Sequence, residues 1–171
     1  TLLETEKTLY SIMGKTNVSV SQMVKFYKNK ATVSYPYSNV SEAPTIEKFC
    51  QIYKEESEVE GVKAEVAFAQ AMMETGFLKF GGDVKKDQYN FAGIGAIGGG
   101  SSGAKFDSIR IGIRAHVQHL KAYASKEALK QPVVDPRFQY VKRGSAEYVQ
   151  WLGQKENPNR YGWATAKNYG N

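Results

Sequence analysis

Cysteine occurs once in this chain of 171 residues and histidine only twice. A lone Cys50 excludes an internal disulfide and a cysteine-built metal site, and its apolar helical setting reads as a buried, inert thiol. Two histidines, His116 and His119, fall short of the three or four ligands that zinc takes, so no metal is expected. No run of about 18 apolar residues exists, so no segment is expected to cross a membrane. No signal peptide is visible, and the start at Thr1 without methionine suggests a fragment or a processed product. Negative charge is also in short supply. Asp and Glu number 17 against 23 Lys and Arg, a net charge of +6 that favours anionic partners. Because the charges are dispersed and no nucleic-acid module is recognisable, nucleic acid is not the expected partner.

What remains is ordinary for a globular domain: 42% apolar and 23% charged residues. Residues 1 to about 18 carry weak periodicity and read as a tail or docking segment. Ser19 or Ser21 can cap a short helix through Val24, Phe26 and Tyr27, and residues 31–43 read as a loop. Pro44-Thr45 opens a helix bearing Ile46, Phe49, Ile52 and Tyr53 on one face, which ends before Gly61. Val62 to Thr75 forms a central helix with Gly76 as its C-cap. Residues 77–108 are glycine-rich, with Gly98-Gly99-Gly100-Ser101-Ser102-Gly103 as a flexible flap or hairpin tip. An amphipathic helix follows from Ile111 to about Ala128, and a last short helix runs from Ala146 to Leu152 between Ser145 and Gly153. The sum is an α+β domain, mostly α, with a small β or loop lobe. Residues 1–43 form an N-terminal extension with an accessory helix, and residues 44–171 form the main domain.

The central helix carries the chemistry. On a helical wheel Lys63, Gln70 and Glu74 fall within about 40° of one another, and Glu65 points nearly opposite as a solvated charge. Almost every other position is apolar. The narrow polar strip suits either the floor of a cleft or the solvent side of a core helix. A carboxyl group in apolar surroundings tends to hold its proton toward neutral pH, which makes Glu74 a candidate general acid.

Three further signals have plainer readings. Gly93-Ile94-Gly95-Ala96-Ile97-Gly98 matches the dinucleotide-binding pattern in letters only, since no helix follows it. The glycines instead let the backbone approach a ligand or a neighbouring helix closely. His116 and His119 read as packing or surface residues. Tyr161-Gly162-Trp163 and Tyr169, set among Asn157, Asn159, Arg160 and Asn168, suit sugar binding, because an aromatic face packs on the apolar face of a pyranose; they could equally close the core.

The acid-bearing helix, followed by Asn90-Phe91-Ala92-Gly93-Ile94-Gly95, resembles the family-73 glycoside hydrolases, endo-β-N-acetylglucosaminidases that cut bacterial peptidoglycan. Trp163-Ala164-Thr165-Ala166-Lys167-Asn168-Tyr169 is similar to that family's Tyr-Ala-Thr-Asp-x-x-Tyr element. The stretch Phe106-Asp107-Ser108, with the helix through Gly112 and Leu120, fits the helix after the lobe. The resemblance covers residues 44 to 171. It implies a lysozyme-like fold and cleavage of the β-1,4 bond after N-acetylglucosamine, with Glu74 as acid. It also implies that Gln70, Asn90, Phe91, Tyr161, Trp163 and Tyr169 bind substrate.

Many glycosidases use a second carboxylate. Asp107 is the carboxylate in the window where family members place theirs, Asp83 and Asp87 are alternatives, and the substrate's own acetamido group could replace all three. The resemblance implies no cofactor and a secreted, wall-associated monomer acting on peptidoglycan strands and held by anionic wall polymers. A lytic transglycosylase and a non-catalytic glycan-binding module are the rival expectations.

Overall fold

The computed structural model describes residues 8–96 and 99–171, so the first seven residues of the expected tail, and Ile97 and Gly98 of the expected flap, lie outside the described residues. The chain builds four α-helices: α1 (Val20–Lys30), α2 (Ile46–Glu60), α3 (Ala64–Thr75) and α4 (Ile109–Ala124). Short 3-10 turns occupy Lys86–Gln88, Phe138–Tyr140 and Val149–Leu152. Among the described residues no helix is long and apolar enough to cross a membrane.

Helix α2 is the hub and packs against α1, α3 and α4. Its start follows from Thr45, whose hydroxyl accepts from the Lys48 N–H at 3.2 Å, and its stop from Gly61, at φ 71°. Phe49, Ile52 and Tyr53 on its inner face are completely buried. Phe49 and Tyr53 meet Tyr37, Phe68 and Phe91 in a cluster of mostly edge-to-face rings. Cys50 is buried and free. Ile12, Met23, Val24, Tyr27 and Tyr37 belong to the same core, so the N-terminal segment and α1 share it with the main body. Behind α2, Lys121 of α4 is fully buried against Glu60 at 3.0 Å, and Arg114 reaches Glu56 at 2.8 Å.

Where the elements depart from the sequence expectation, tertiary partners have taken the backbone. Helix α3 begins at Ala64, not Val62, because Val62 bridges Met13 and the Lys63 N–H donates to Ile12 at 2.9 Å. Helix α4 begins two residues early. The Glu42 carboxylate accepts from the Ile109 and Arg110 N–H groups at 2.7 and 3.1 Å, and Ser108 caps Ile111 at 3.1 Å. The expected helix from Ala146 is a 3-10 turn over Val149–Leu152 only. Glu147 and Val149 exchange backbone bonds with Ile12 and Tyr10 instead, at 3.0 and 2.8 Å.

The lobe between α3 and α4 contains no strand among the described residues, so the β part of the α+β expectation reduces to isolated bridges. Two backbone bonds cross the lobe, from the Ala104 N–H to Ile94 and from the Phe106 N–H to Gln88, each at 2.9 Å, and side chains add to them. Gln88 donates to the carbonyls of Ser102 and Ala104 at 2.7 and 3.2 Å. Asn90 bonds the backbone of Ala92, Ile94 and Ala104.

Candidate active site

Helix α3 ends on Glu74 and Thr75, with Gly76 left-handed at φ 59°. The Phe77 N–H donates to Met72 at 2.7 Å and the Gly76 N–H to Met73 at 3.4 Å, a paired closure of the last turn. Thr75 ties the next segment down, donating to Ala71 at 2.7 Å and accepting from the Leu78 N–H at 3.0 Å. Phe77, Leu78 and Phe80 then all adopt positive φ, between 54° and 65°. Such backbone costs free energy in non-glycine residues and persists only where its surroundings hold it. Here it turns the chain sharply beneath the acid.

Glu74 opens onto a cleft of about 820 Å³ whose walls include Lys79, Asp83, His119, Arg137 and Trp163. The residue is exposed along the cleft, yet its carboxyl group lies deep enough that burial raises its pKa. A hydrogen bond from Tyr169 pulls the other way without cancelling the rise. The negative end of the α3 dipole also disfavours an anion here. A carboxyl group so placed keeps its proton to higher pH than a solvated one.

One carboxylate oxygen, Oε1, accepts from the Tyr169 hydroxyl. That phenol accepts from Gln70 Nε2 at 3.1 Å, and Gln70 Oε1 lies 2.8 Å from His116 Nε2. His116 Nδ1 lies 2.9 Å from the Tyr53 hydroxyl. Burial depresses His116 to a pKa of about 3, so it is neutral. With Nε2 donating, every bond then runs one way, from Tyr53 through His116, Gln70 and Tyr169 to Glu74. A chain with one polarity strengthens its final donor. Burial and the adjacent Glu74 charge push the Tyr169 phenol far above its ordinary range, so it stays protonated and donates. The other oxygen, Oε2, is left beside Gly93, where a Cβ would lie 3.8 Å away.

The expected site residues separate into distinct places. Glu74, Asn90 and Trp163 line the cleft. Asn90 is nearly fully buried, and all its side-chain bonds go to the loop backbone, so it shapes the wall. Phe91 does not reach the substrate space: it is completely buried against Phe49, Tyr53 and Phe80 and anchors the loop from below. Gln70 and Tyr169 line a smaller hollow of about 340 Å³ behind the acid. Tyr161 is exposed away from the cleft lining, with Lys142 Nζ 5.5 Å from its ring centre. Asp107 is exposed and outside the lining, whereas Asp83 is on the rim and accepts from the Gly100 N–H at 3.3 Å.

The polar strip of the helical wheel dissolves. Gln70 is buried, and Lys63 precedes α3 and reaches Ser11 at 2.8 Å. Nor is Glu65 simply solvated, since it accepts from the Tyr10 hydroxyl at 3.1 Å. The two histidines are the residues that sequence reasoning undervalued. Their three-residue spacing puts both on one side of α4, but Gln70 and Asp135, which give them their roles, are 46 and 16 residues away. Among the described residues no group of three or more His, Cys, Asp or Glu could hold a metal.

A family model described as glucosaminidase, mannosyl-glycoprotein endo-beta-N-acetylglucosaminidase, matches residues 50–171. The chain belongs to the glucosaminidase family. Its domain is a family-73 glycoside hydrolase of the endo-β-N-acetylglucosaminidase type, and the match takes in α3, the lobe, α4 and the C-terminal segment. An uncharacterized protein of Borreliella burgdorferi is 50% identical to this glucosaminidase over 117 residues, covering 68% of this chain and 54% of that protein. The match thus spans about half the length of that curated relative. No solved structure matches the chain.

Proposed function

We propose that this glucosaminidase is a lysozyme-like peptidoglycan hydrolase that cleaves the β-1,4 bond after N-acetylglucosamine, with Glu74 as general acid. The observation that carries the reading is the state of the Glu74 carboxyl group. Burial raises its proton affinity, Tyr169 occupies Oε1, and Oε2 remains for the substrate. In the reaction that oxygen gives its proton to the glycosidic oxygen as the bond to the anomeric carbon breaks. Trp163 offers a ring for a sugar face, and Asn90 and Phe91 hold the loop that forms part of the cleft wall.

A polymeric anionic substrate favours peptidoglycan over a mannosyl glycoprotein, because the chain carries a net charge of +6. We place the enzyme outside the cell as a wall-bound monomer, attached more weakly as salt rises. The rival reaction, lytic transglycosylation, needs the same single acid but cuts after N-acetylmuramic acid.

Mass spectrometry of fragments released from purified peptidoglycan, after borohydride reduction, separates the two. Reduced N-acetylglucosamine ends are the expected result. Anhydro-muramyl ends would assign transglycosylation, and binding without release would leave a glycan-binding module.

A further inference from the structure

The cleft contains a second pair of proton-handling groups that the assignment of Glu74 leaves unused. His119 lies on α4 three residues after His116, lines the same cleft as Glu74, and keeps 12% of its side chain exposed. Its Nδ1 lies 2.6 Å from Asp135, whose side chain is completely buried. Asp135 is itself fixed. Its second oxygen accepts from the Arg137 N–H at 2.9 Å, and its own N–H donates to Gln118 Oε1 at 3.2 Å. The imidazole is clamped edge-on by Trp163, at 4.7 Å and 90°, and by Tyr123, at 5.5 Å and 76°.

With Nδ1–H committed to Asp135, the available nitrogen is Nε2. It has no protein hydrogen-bond partner among the described residues. A carboxylate that fixes one imidazole nitrogen makes the other a stronger proton acceptor and holds it in one orientation. None of the three acidic candidates is comparably built. Asp87 and Asp107 are exposed off the cleft, and Asp83 is an exposed rim residue bonded to the Gly100 amide.

We propose that His119, oriented by Asp135, is the base of the reaction, its Nε2 taking the proton of the water that attacks the anomeric carbon. This rests on the glucosaminidase reading above. The Glu74 proton goes to the glycosidic oxygen, and the electron pair of the broken bond leaves with that oxygen. The water oxygen bonds to the anomeric carbon and its proton passes to Nε2. The imidazolium formed is paired with Asp135 and returns its proton to the Glu74 carboxylate through solvent. The titratable and charged groups around His119 are Asp135 and Arg137 from the segment after α4, Tyr123 and His116 on α4 itself, and Glu74, Lys79 and Asp83 on the same cleft.

The test is kcat/KM against pH for wild type, His119→Gln, Asp135→Asn and Asp83→Asn, read as reduced N-acetylglucosamine ends from purified peptidoglycan. His119→Gln is expected to lose about a hundredfold at neutral pH and to lose the acid limb, while the alkaline limb set by Glu74 remains. Asp135→Asn loses less. Added imidazole restores part of the turnover of His119→Ala, which a purely structural role would not allow and which serves also if His119→Gln folds poorly. A folded His119→Gln that keeps the acid limb and stays within about threefold of wild type overturns the proposal. So does loss of the acid limb in Asp83→Asn alone. A wild type that releases no N-acetylglucosamine ends overturns the parent reading and this one together, a result distinct from either.

Discussion

The hydroxyl of Tyr169 donates to Glu74 Oε1 and accepts from Gln70 Nε2 at 3.1 Å, so a phenol from the end of the chain links the acid to the buried residue one helical turn before it. The consequence is a division of labour within one carboxyl group. Oε1 is an acceptor inside the protein, and Oε2, beside Gly93, is the oxygen left for the proposed general-acid role.

Removing that phenolic hydroxyl moves the pH profile. The Tyr169 bond lowers the Glu74 pKa against the rise caused by burial. Tyr169→Phe therefore raises the pKa further and keeps the acid protonated to higher pH. The alkaline limb of kcat/KM is expected to move up by about one pH unit, the size of a hydrogen bond to a charged group. A limb that stays in place would show that Tyr169 does not tune the acid.

Glu74→Gln separates stability from activity. The folded-state pKa of Glu74 is raised, so the stability it contributes is present at low pH and is lost as pH rises through the folded pKa. Gln keeps an acceptor for Tyr169 and removes the charge. Activity falls by at least about a hundredfold, while the melting temperature at neutral pH exceeds that of wild type and the gap closes toward acid pH. Calorimetry at two pH values checks the second half, and near wild-type turnover would remove Glu74 from the mechanism.

His116 predicts acid sensitivity of the fold. Its pKa is depressed to about 3, so between that value and the ordinary 6.5 the unfolded chain binds a proton that the native state refuses. Stability from this group is therefore complete above the ordinary range and is lost as pH falls, at about 1.4 kcal/mol per pH unit. Urea unfolding between pH 4 and 6 is expected to show a slope smaller by one proton in His116→Gln. Equal slopes would mean that His116 is not held neutral.

Gly112 fixes the distance between α4 and the lobe. A Cβ there would overlap the carbonyl oxygen of Tyr89, the residue just before Asn90. Ala is the better helix former, yet Gly112→Ala is expected to cost about 2 kcal/mol or more, because backbone must move to make room. Denaturant midpoints measure the cost, and a raised KM should accompany it as the Asn90 wall shifts. A neutral or stabilising result would contradict this packing.

Local chemistry in the sequence determined much of the fold. Ser19, Thr45, Gly61 and Gly76 mark helix ends because capping depends on residues within one turn, and the apolar spacing of α2 and α4 fixes their buried faces. Glu74 stands out in the sequence for the same reason, as the acid that closes an apolar helix, and the structure puts it on the cleft. Tertiary structure alone decided everything that needed a distant partner. It made Lys63 part of a bridge to the N-terminal segment, sank Phe91 into the core and turned Gln70 from a cleft residue into a relay. It also turned two unremarkable histidines into a buried link and a cleft-facing dyad. The physical reason is that a buried polar side chain must find hydrogen-bond partners wherever the packed chain supplies them. Such partners, 99 residues apart for Gln70 and Tyr169, leave no periodic trace in the sequence.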